Sequence, residues 1–208
     1  MKKGLFITVE GMDGSGKTTQ FNCIKEYLEK NGLDVITVRD PGGTRIGESI
    51  RNIILDTKNT DMNAYTELLL YAACRAQLVN QSIAPAILEG KCVLCDRFVD
   101  SNLAYQGYGR GICIDFIKTI NKAVFGIEPD ITFFFDLPPQ AAVKRMYKKT
   151  ADRIEMENMD FHINVYNGYK KIADTESKRI ITIDCSKDVD SVFEDVKIVL
   201  DIKVLNTI

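Results

Sequence analysis

Five short runs of apolar residues are spaced along the chain, and each is long enough for one β-strand. Within each run the apolar residues are nearly continuous and do not alternate with polar ones, which is typical of parallel strands covered by helices on both faces. The sequence therefore predicts strands at Leu5–Val9, Val35–Val38, Cys92–Cys95, Ile131–Phe135 and Ile180–Ile183.

Stretches of helical character separate these strands, and three of them stop at a glycine, which readily takes the left-handed conformation after a helix. Strands that alternate with helices indicate right-handed βαβ units. We therefore expect an α/β fold, a doubly wound five-stranded parallel sheet flanked by helices, in a single domain over residues 1–208. The predicted helices are Thr18–Asn31 before Gly32, Asn63–Leu88 before Gly90 with a bend at Pro85, Asp115–Phe125 before Gly126, and Asp188–Ile202.

A basic segment follows the fourth predicted strand. A helix is expected to start after Pro139 and to carry Lys144, Arg145, Lys148, Lys149 and Arg153. A run of this kind is most often a solvated helix face. In a nucleotide-binding enzyme it can instead be a mobile lid, here over about residues 140–156, that brings positive charge onto the phosphates.

The most informative motif lies between the first predicted strand and the first predicted helix. Residues 11–18 read Gly-Met-Asp-Gly-Ser-Gly-Lys-Thr, the G-x-x-x-x-G-K-[ST] pattern of a phosphate-binding loop. Its glycines let backbone N–H groups point at phosphate oxygens, and the helix N-terminus adds partial positive charge. Lys17 can reach the β- and γ-phosphates, and the Thr18 hydroxyl can ligate Mg²⁺.

A glycine-rich turn beside a surface lysine is the alternative, but the strand before the motif and the helix after it favour the phosphate-binding loop. We therefore expect the chain to bind a nucleoside triphosphate, ATP by default. The residues expected to bind it are Gly11, Met12, Asp13, Gly14, Ser15, Gly16, Lys17, Thr18 and Thr19.

Composition narrows the class of protein. Lys and Arg number 27 against 29 Asp and Glu, a net charge of -2, whereas nucleic-acid-binding proteins usually carry a basic excess. Apolar runs stay well short of the ~20 residues of a membrane span, and a strand is predicted directly after residue 3, so we expect no signal peptide. We expect a cytoplasmic protein that binds small molecules and neither nucleic acid nor membrane.

The chain has six cysteines, and two of them form a Cys-x-x-Cys motif at Cys92 and Cys95. Both lie in a predicted strand, where residues three apart point to opposite faces, so the two sulfurs cannot share a metal ion. We interpret the cysteines as reduced core residues.

Three further groups of residues each have two interpretations. Asp96, at the end of a strand, can hold a Mg²⁺-bound water while Arg97 grips a phosphate, or it can cap the next helix. The glycines of residues 41–44, Pro-Gly-Gly-Thr, can let the backbone approach a ligand or form a structural turn. Tyr71 and Arg75, one helical turn apart, can contact a nucleotide base or pack as ordinary helix residues.

Together these motifs resemble the thymidylate kinase family, P-loop enzymes that phosphorylate dTMP to dTDP. The resemblance covers nearly the whole chain. Beyond the loop Glu10–Thr19, the matching elements are Pro41-Gly42-Gly43-Thr44, Arg51, Tyr71, Arg75, Asp96-Arg97-Phe98, Ser101, Ala104-Tyr105-Gln106-Gly107, Asp152-Arg153-Ile154-Glu155 and Asp160-Phe161.

The resemblance implies a role for each matching residue. It implies transfer of the γ-phosphoryl group of ATP to dTMP, in dTTP synthesis, with Mg²⁺ as cofactor at Thr18 and Asp96. The implied catalytic residues are Lys17, Arg97, Arg153 and Asp13. The implied substrate contacts are Asp13 with the 3′-hydroxyl, Arg51 and Arg97 with the acceptor phosphate, Tyr71 and Arg75 with thymine, Ser101, Asn102 and Gln106 as polar contacts, and Tyr105 against a ribose 2′-hydroxyl.

The resemblance also implies a homodimer formed through helices, for which Asn63–Leu88 is apolar enough. Some positions depart from the family pattern. Asp40 stands where glutamate is common, which shortens the reach of the carboxylate, and Lys148 stands where the lid often has arginine. The family divides by whether its catalytic arginine lies in the loop or in the lid. Residues 12–15 contain no arginine, so the lid has to supply it, and Arg153 is the candidate.

Two other functions compete with this one. A GTPase switch would match residues 40–43 as D-x-x-G, but the nearest string to the guanine-binding N-K-x-D motif, at residues 121–124, lacks the aspartate. Another nucleoside monophosphate kinase or a deoxynucleoside kinase is the nearer alternative. Comparing ATP with GTP as donor tests the first alternative, and a panel of acceptors tests the second.

Overall fold

The computed structural model of the chain describes residues 4–145 and 151–205. All five predicted strands are present, and each extends one residue beyond its predicted carboxyl end. They are β1 (Leu5–Glu10), β2 (Val35–Arg39), β3 (Cys92–Asp96), β4 (Ile131–Asp136) and β5 (Ile180–Asp184). They form one parallel sheet in the order β2-β3-β1-β4-β5. The predicted α/β fold with a five-stranded parallel sheet flanked by helices is confirmed.

Helices connect the strands and cover the sheet. They are α1 (Lys17–Lys30), α2 (Arg45–Leu55), α3 (Ala64–Leu78), α4 (Ala84–Leu88), α5 (Val99–Asn102), α6 (Ile114–Phe125), α7 (Pro139–Arg145), α8 (Met159–Thr175) and α9 (Val189–Lys203). A π-helical segment, Leu103–Gly109, continues α5 and was not predicted. Within the described residues, none of these helices is long and apolar enough to cross a membrane.

The helix predicted over Asn63–Leu88 is not one regular helix. α3 runs into a π-helical segment, Val79–Ile83, and then into α4. At this junction the N–H of Ala84 donates to the carbonyl of Val79, five residues back. Pro85, the next residue, has no N–H to donate. Where a bend was predicted at Pro85, the structure therefore has a turn of π-helix, which directly precedes α4.

The basic segment after β4 also differs from the prediction. α7 is described as far as Arg145, whereas Lys148 and Lys149 lie outside the described residues, and residues 151–158 form loop and turns. The Asp152 carboxylate stabilises this turn, because its Oδ1 accepts from the N–H groups of Ile154 and Glu155, each over 2.9 Å. Arg153 is therefore not on a basic helix, and that part of the prediction is wrong.

The sheet separates two hydrophobic cores, and β3 contributes to both. Cys92 and Leu94 belong to one core, whereas Val93 and Cys95 belong to the other. The prediction that the sulfurs of Cys92 and Cys95 point to opposite faces is confirmed. All six cysteines are free thiols, and the described residues contain no group of three His, Cys, Asp or Glu side chains that could hold a metal ion.

The central strand β1 pairs with β3 on one side and β4 on the other. Because all strands are parallel, the loops that follow their carboxyl ends gather at one edge of the sheet. In open α/β sheets, ligands bind in the crevice at this edge, where the strand order reverses direction.

Candidate active site

The loop between β1 and α1 has the backbone of a phosphate cradle. Gly11, Gly14 and Gly16 have φ values of 139°, 83° and 92°, which glycine adopts at low cost. A Cβ on Gly11 would lie 2.7 Å from the carbonyl oxygen of Phe135, whereas one on Gly16 would meet none of the described atoms within 4 Å. Gly16 is the N-cap of α1, so the first N–H groups of this helix face open space that suits an anion.

Lys17, the first residue of α1, points back into this loop. Its side chain is buried, and its Nζ donates to the carbonyl of Met12 over 2.8 Å. The same nitrogen lies 3.7 Å from Oδ1 of Asp13. Burial lowers the pKa of Lys17, and the nearby charge of Arg97 lowers it further. A cation shielded from water in this way interacts strongly with a phosphate placed beside it.

Two of the side chains around the loop suit Mg²⁺. Among the described residues, the buried atom Oδ1 of Asp96 has no hydrogen-bond partner, and Thr18 is exposed at the start of α1. Mg²⁺ takes one or two protein oxygens besides waters and substrate phosphates, so this hydroxyl and carboxylate fit it. α5 begins at Val99 with Phe98 as its N-cap, so the alternative that Asp96 caps the next helix is wrong.

One cavity beside the phosphate-binding loop is lined by every residue expected to bind the nucleoside monophosphate. These nine are Asp13, Arg51, Tyr71, Arg75, Arg97, Ser101, Asn102, Tyr105 and Gln106. Asp40, Pro41, Leu55, Asp152 and Ile154 complete the lining. Below, the part around Asp13 and Arg97 is called the phosphate end, and the part around Tyr71 and Arg75 the base end. The structure brings the nine together, and their binding of substrate stays a prediction.

Arg97 is held at the phosphate end by contacts on three sides. Its Nη2 donates to Oδ1 of Asp13 over 2.9 Å, and its Nη1 donates to the Tyr169 hydroxyl over 3.0 Å. The guanidinium carbon lies 5.2 Å from the centre of the Tyr105 ring. Its φ of 66° is a left-handed conformation that costs a non-glycine residue roughly 1–3 kcal/mol. The surrounding contacts therefore stabilise a strained backbone that turns Arg97 toward the loop.

Glu10, the last residue of β1, lies behind Arg97 and is almost fully buried. Its Oε1 accepts from the N–H of Phe98 over 2.7 Å. Its Oε2 accepts from the hydroxyls of Ser101 and Tyr169 over 2.6 Å and 2.8 Å. Burial raises the pKa of Glu10 to about 7, an effect that the charge of Arg97 opposes.

A chain of buried hydrogen bonds forms the floor of the base end. Nε of Arg75 donates to Asp40 over 2.5 Å, and its Nη1 donates to the side-chain oxygen of Asn102. Asn102 donates to Gln106 over 2.8 Å, and Gln106 donates to Glu67 over 2.9 Å. Because an arginine only donates and a carboxylate only accepts, the two amides between them have one consistent orientation.

The positions of Tyr71 and Arg75 are compatible with both interpretations, and their contact with a nucleotide base stays a prediction. Arg75 is a buried structural partner of Asp40, and both Tyr71 and Arg75 line the cavity. Burial raises the pKa of Tyr71 well above its usual range, which keeps the phenol neutral. Burial also raises the pKa of Asp40, while Arg75 opposes that shift. The Asp40 carboxylate forms a buried ion pair with Arg75.

Arg153 lies at the far end of the same chain of hydrogen bonds. Its Nη2 donates to Oε2 of Glu67 and its Nε to the carbonyl of Ile54, both over 2.7 Å. Arg110 also donates to both oxygens of Glu67, over 3.1 Å and 3.0 Å. Burial would raise the pKa of Glu67, but the hydrogen bonds from Arg110, Gln106 and Arg153 outweigh it, and the pKa lies below its usual range.

The position of Arg153 corrects one expectation from sequence, that of a solvated basic face. It is only 9% exposed, so it is not part of a solvated basic face. Its guanidinium donates to Glu67, which ends the chain of hydrogen bonds below the base end, and its catalytic role over the transferred phosphate stays a prediction. Arg153 is buried because it pairs with the buried carboxylate of Glu67. The basic pattern of the segment gives no sign of this partner.

The Pro-Gly-Gly-Thr loop after β2 is packed as a structural turn. Gly42 and Gly43 have φ values of 126° and 75°, and a Cβ on Gly42 would lie 2.5 Å from Oε1 of Glu48. The N–H of Gly43 donates to the same oxygen over 2.8 Å. Nη1 of Arg51 donates to the carbonyl of Pro41 over 2.9 Å, so the turn also holds Arg51 at the cavity.

Sequence reasoning assigned no role to four residues that organise the site: Glu10, Glu67, Arg110 and Tyr169. A signal for Glu67 was present, because Glu67, Tyr71 and Arg75 follow one another at four-residue spacing on one face of α3. Arg110 follows Gln106 at the same spacing. Tyr169 comes from α8, 159 residues from its partner Glu10, and no local pattern points to it.

Comparisons with known proteins give one consistent result. A family model described as thymidylate kinase matches residues 9–196. The thymidylate kinase of Finegoldia magna is 52% identical over 191 residues, which cover 91% of this chain and 94% of that protein. The thymidylate kinase of Thermoanaerobacter pseudethanolicus is 49% identical over 195 residues, which cover 93% and 96%. A crystal structure of thymidylate kinase from Ehrlichia chaffeensis matches with a TM-score of 0.80 at 36% identity, covering 95% of this chain and 98% of that one.

Proposed function

This chain belongs to the thymidylate kinase family, and we propose that it transfers the γ-phosphoryl group of ATP to dTMP, giving dTDP and ADP for the synthesis of dTTP. The observation that carries the proposal is the single cavity with a buried polar base end and a cationic phosphate end beside a phosphate-binding loop. A nucleoside monophosphate has the matching parts, a flat base at one end and an anionic phosphate at the other.

The base end recognises thymine. Tyr71 stacks on the ring and Arg75 hydrogen-bonds a ring carbonyl. Asn102 and Gln106 lie in a hydrogen-bond chain anchored by charge at both ends, so neither amide can flip without breaking a buried bond. A site with fixed polar groups rejects bases that leave those groups unpaired. Tyr105 packs against the sugar and excludes a ribose 2′-hydroxyl.

The phosphate end positions the nucleophile. Arg51 and Arg97 hold the acceptor phosphate, and Asp13 accepts from the 3′-hydroxyl of the sugar. A phosphate oxygen is already an adequate nucleophile, so the reaction needs in-line positioning and charge neutralisation more than a strong base. Lys17 and Arg97 supply positive charge from the two sides of Asp13, at 3.7 Å and 2.9 Å from its Oδ1.

ATP lies along the loop Gly11–Thr19, where backbone N–H groups and the N-terminus of α1 meet its phosphates. Thr18 and Asp96 would hold Mg²⁺ on this side, where it would supply charge neutralisation for the donor phosphates. The open space at Gly16 admits a phosphate close to the backbone.

The segment of about residues 140–156 acts as the lid, and Arg145 takes the catalytic role that the sequence suggested for Arg153. These are the only two arginines of the segment, and residues 12–15 contain none. Arg153 is already bonded to Glu67 and to the carbonyl of Ile54. Lid closure over the phosphates excludes water and limits wasteful hydrolysis of ATP.

Arg145 is suitably placed for this role. It is the last residue of α7, and its Nη2 donates to the carbonyl of Cys185 over 3.1 Å. Burial raises the pKa of the Cys185 thiol to about 12, while the charges of both Arg145 and Lys17 oppose this shift. Because Cys185 directly follows β5, this bond places Arg145 at the carboxyl edge of the sheet, where the phosphate-binding loop follows β1.

The protein forms a homodimer through an apolar patch on α2, α3 and α6. The exposed side chains of the patch are Ile46, Ile53, Tyr65, Leu69 and Phe116. The rings of Tyr65 and Phe116, 6.0 Å apart, connect α3 with α6, and exposed apolar patches mark interaction surfaces. Sedimentation of Leu69→Asp as a monomer would support this interface.

The free thiols of all six cysteines suit the reducing cytoplasm, where we place the enzyme.

The proposed function is tested with a panel of acceptors: dTMP, dUMP, UMP, CMP, AMP and thymidine. We expect the highest kcat/KM with dTMP, deoxyribonucleotides preferred over ribonucleotides, and no phosphorylation of thymidine, which lacks the acceptor phosphate. Repeating the dTMP assay with GTP in place of ATP tests the alternative of a guanine-specific switch. Equal activity with UMP or AMP, or hydrolysis of GTP without transfer to any acceptor, would contradict the proposal.

A further inference from the structure

Two hydroxyl groups separate the buried carboxylate of Glu10 from the guanidinium of Arg97. The hydroxyls of Ser101 and Tyr169 lie 2.6 Å and 2.8 Å from Oε2 of Glu10. The same oxygens lie 3.4 Å and 3.0 Å from Nη1 of Arg97, and 2.9 Å from each other. β1, α5 and α8 thus meet at one polar layer behind the phosphate end.

The chemistry of the outer groups sets the direction of the bonds in this layer. An ionised carboxylate only accepts hydrogen bonds, and a guanidinium only donates them. Each hydroxyl has a single hydrogen. When both O–H bonds point at Glu10, the lone pairs of Ser101 and Tyr169 are directed at Arg97. The negative charge of Glu10 therefore makes both hydroxyls acceptors for Arg97, and it strengthens the bonds because they are charge-assisted.

Glu10 also stabilises the backbone of the turn that carries Arg97. Its Oε1 accepts from the N–H groups of Phe98 and Ser101 over 2.7 Å and 3.3 Å. These residues follow Arg97, whose φ of 66° is the strained point of the turn. One carboxylate thus contacts the backbone after Arg97 and, through the hydroxyls, the end of its side chain.

We propose that Glu10 is a positioning residue that aims Arg97 at the acceptor phosphate through the hydroxyls of Ser101 and Tyr169. Glu10 is 1% exposed and is not among the described residues that line the cavity, so it acts through Arg97 and not on substrate. The inference rests on the proposed role of Arg97 as the phosphate clamp. Because Glu10 directly precedes Gly11, it also connects the acceptor clamp with the loop that binds the donor.

Charged and titratable groups face Glu10 from each of the surrounding elements. Asp100 of α5 raises the pKa of Glu10 and Arg97 lowers it, but burial has the largest effect and raises it. Since burial disfavours the charge, a neutral residue of the same shape should be tolerated in the fold. The remaining groups near Glu10 are Lys17 of α1, Cys95 of β3, Tyr105 of the π-helical segment and Tyr169 of α8.

The test is Glu10→Gln, which keeps the shape and places a donor where Oε2 was. The hydroxyls of Ser101 and Tyr169 can then no longer both donate to residue 10. We expect calorimetric titration to show about a tenfold or greater loss of dTMP affinity, with thymidine affinity unchanged because thymidine has no phosphate. We also expect Glu10→Gln to add no further loss in an Arg97→Ala background, since coupled residues are not additive.

Tyr169→Phe is the second variant, and it carries the test if Glu10→Gln does not fold. It removes one of the two bridging hydroxyls, so we expect a smaller loss of dTMP affinity, again without loss of thymidine affinity. Tyr27→Phe is the matched control, because it removes a tyrosine hydroxyl that donates to the carboxylate of Asp201 over 2.5 Å outside the cavity lining. We expect it to bind dTMP like the parent.

The outcomes separate this inference from the proposed function. If Glu10→Gln weakens dTMP and thymidine equally, or if its effect adds fully to that of Arg97→Ala, the positioning role is overturned. Unchanged dTMP affinity in both Glu10→Gln and Tyr169→Phe overturns it as well. If Arg97→Ala alone fails to distinguish dTMP from thymidine, the clamp role of Arg97 is what fails, whatever Glu10 does.

Discussion

The two ends of the substrate cavity differ in how their charges are balanced. In the floor of the base end, each guanidinium is paired within the protein: Arg75 with Asp40, Arg153 with Glu67, and Arg110 with both Glu67 and Glu157. At the phosphate end, two cations share one carboxylate, because Lys17 and Arg97 lie 3.7 Å and 2.9 Å from Oδ1 of Asp13. The base end thus has as many carboxylates as guanidinium groups in these pairs, whereas at the phosphate end one carboxylate is shared by two cations.

This difference separates selection from catalysis. A base end with its guanidinium groups paired and its amides oriented selects a ligand by shape and by fixed donors and acceptors, and its residues also stabilise the fold. A phosphate end where two cations share one carboxylate leaves both cations able to interact with anionic phosphates and with the charge that develops during transfer. Substitutions at the base end should therefore change KM for dTMP and stability, whereas substitutions at the phosphate end should lower kcat or weaken the binding of ligands that carry a phosphate.

Lys17→Ala is expected to have the largest effect. Lys17 contributes charge at the phosphates rather than packing, so kcat should fall by about 10²–10³-fold or more, as for the loss of one preorganised electrostatic group. Circular dichroism and thermal unfolding should show a folded chain. A folded variant with activity within about tenfold of the parent would refute the mechanism at the phosphate-binding loop.

Arg145→Ala compared with Arg153→Ala tests which arginine of the lid segment belongs to which end. For Arg145→Ala we expect kcat to fall by roughly 10²-fold with little change in either KM. For Arg153→Ala we expect kcat close to the parent, a higher KM for dTMP and a loss of about 1.5–3 kcal/mol in unfolding free energy, since Glu67 keeps Arg110 as a partner.

Lys144→Ala is the control for this pair, because Lys144 is an exposed neighbour of Arg145 on α7. It should be nearly silent in steady-state kinetics. A large loss of kcat in Arg153→Ala together with a silent Arg145→Ala would restore the role that the sequence suggested for Arg153.

These two arginines show how far the sequence could be interpreted. The five strands and the phosphate-binding loop could be predicted because continuous apolar runs and the spacing of glycines are local features. The partner of Arg153 is not local, since Glu67 lies 86 residues away, and the turn at Asp152 interrupts the helix that the basic pattern indicated. The nine substrate residues could be named from the family resemblance, but their connection through Glu67 and Glu10 depends on packing between distant elements.

Arg75→Ala tests the base end. The KM for dTMP should rise by roughly 10–100-fold, corresponding to about 1.5–3 kcal/mol for a charge-assisted hydrogen bond, while the KM for ATP stays unchanged. Because the variant leaves the buried Asp40 carboxylate without its arginine, unfolding free energy should fall by about 3–5 kcal/mol. The KM values are measured by steady-state kinetics, and the unfolding free energy by denaturant unfolding.

Arg39→Ala is the matched control for Arg75→Ala. Arg39 also pairs with a carboxylate, Glu48, over 2.9 Å, but both side chains are nearly half exposed. An exposed pair contributes about 1 kcal/mol or less, so Arg39→Ala should leave stability and the KM for dTMP almost unchanged. If both variants behave alike, the base end is not a preorganised site.

The pH dependence of kcat/KM for dTMP also tests the phosphate end, and its expected effect is the smallest. Burial and the charge of Asp100 raise the pKa of Glu10 from its ordinary value of 4.5 to about 7. The ionised form aligns Arg97, so kcat/KM for dTMP should fall severalfold, up to about tenfold, between pH 8 and pH 6. The second ionisation of dTMP, near pH 6, adds to this decline, and Glu10→Gln should retain only that part.

Stability should change with pH in the opposite direction. Because the pKa of Glu10 is higher in the folded chain than in the unfolded chain, the folded state holds the proton more tightly. The resulting stabilisation is fully present below about pH 4.5 and is lost as pH rises through about 7. In the parent, unfolding free energy should therefore decrease over the range in which kcat/KM increases, and Glu10→Gln should weaken both trends. Identical pH profiles for the parent and Glu10→Gln in both measurements would mean that Arg97 holds its position without the charge of Glu10.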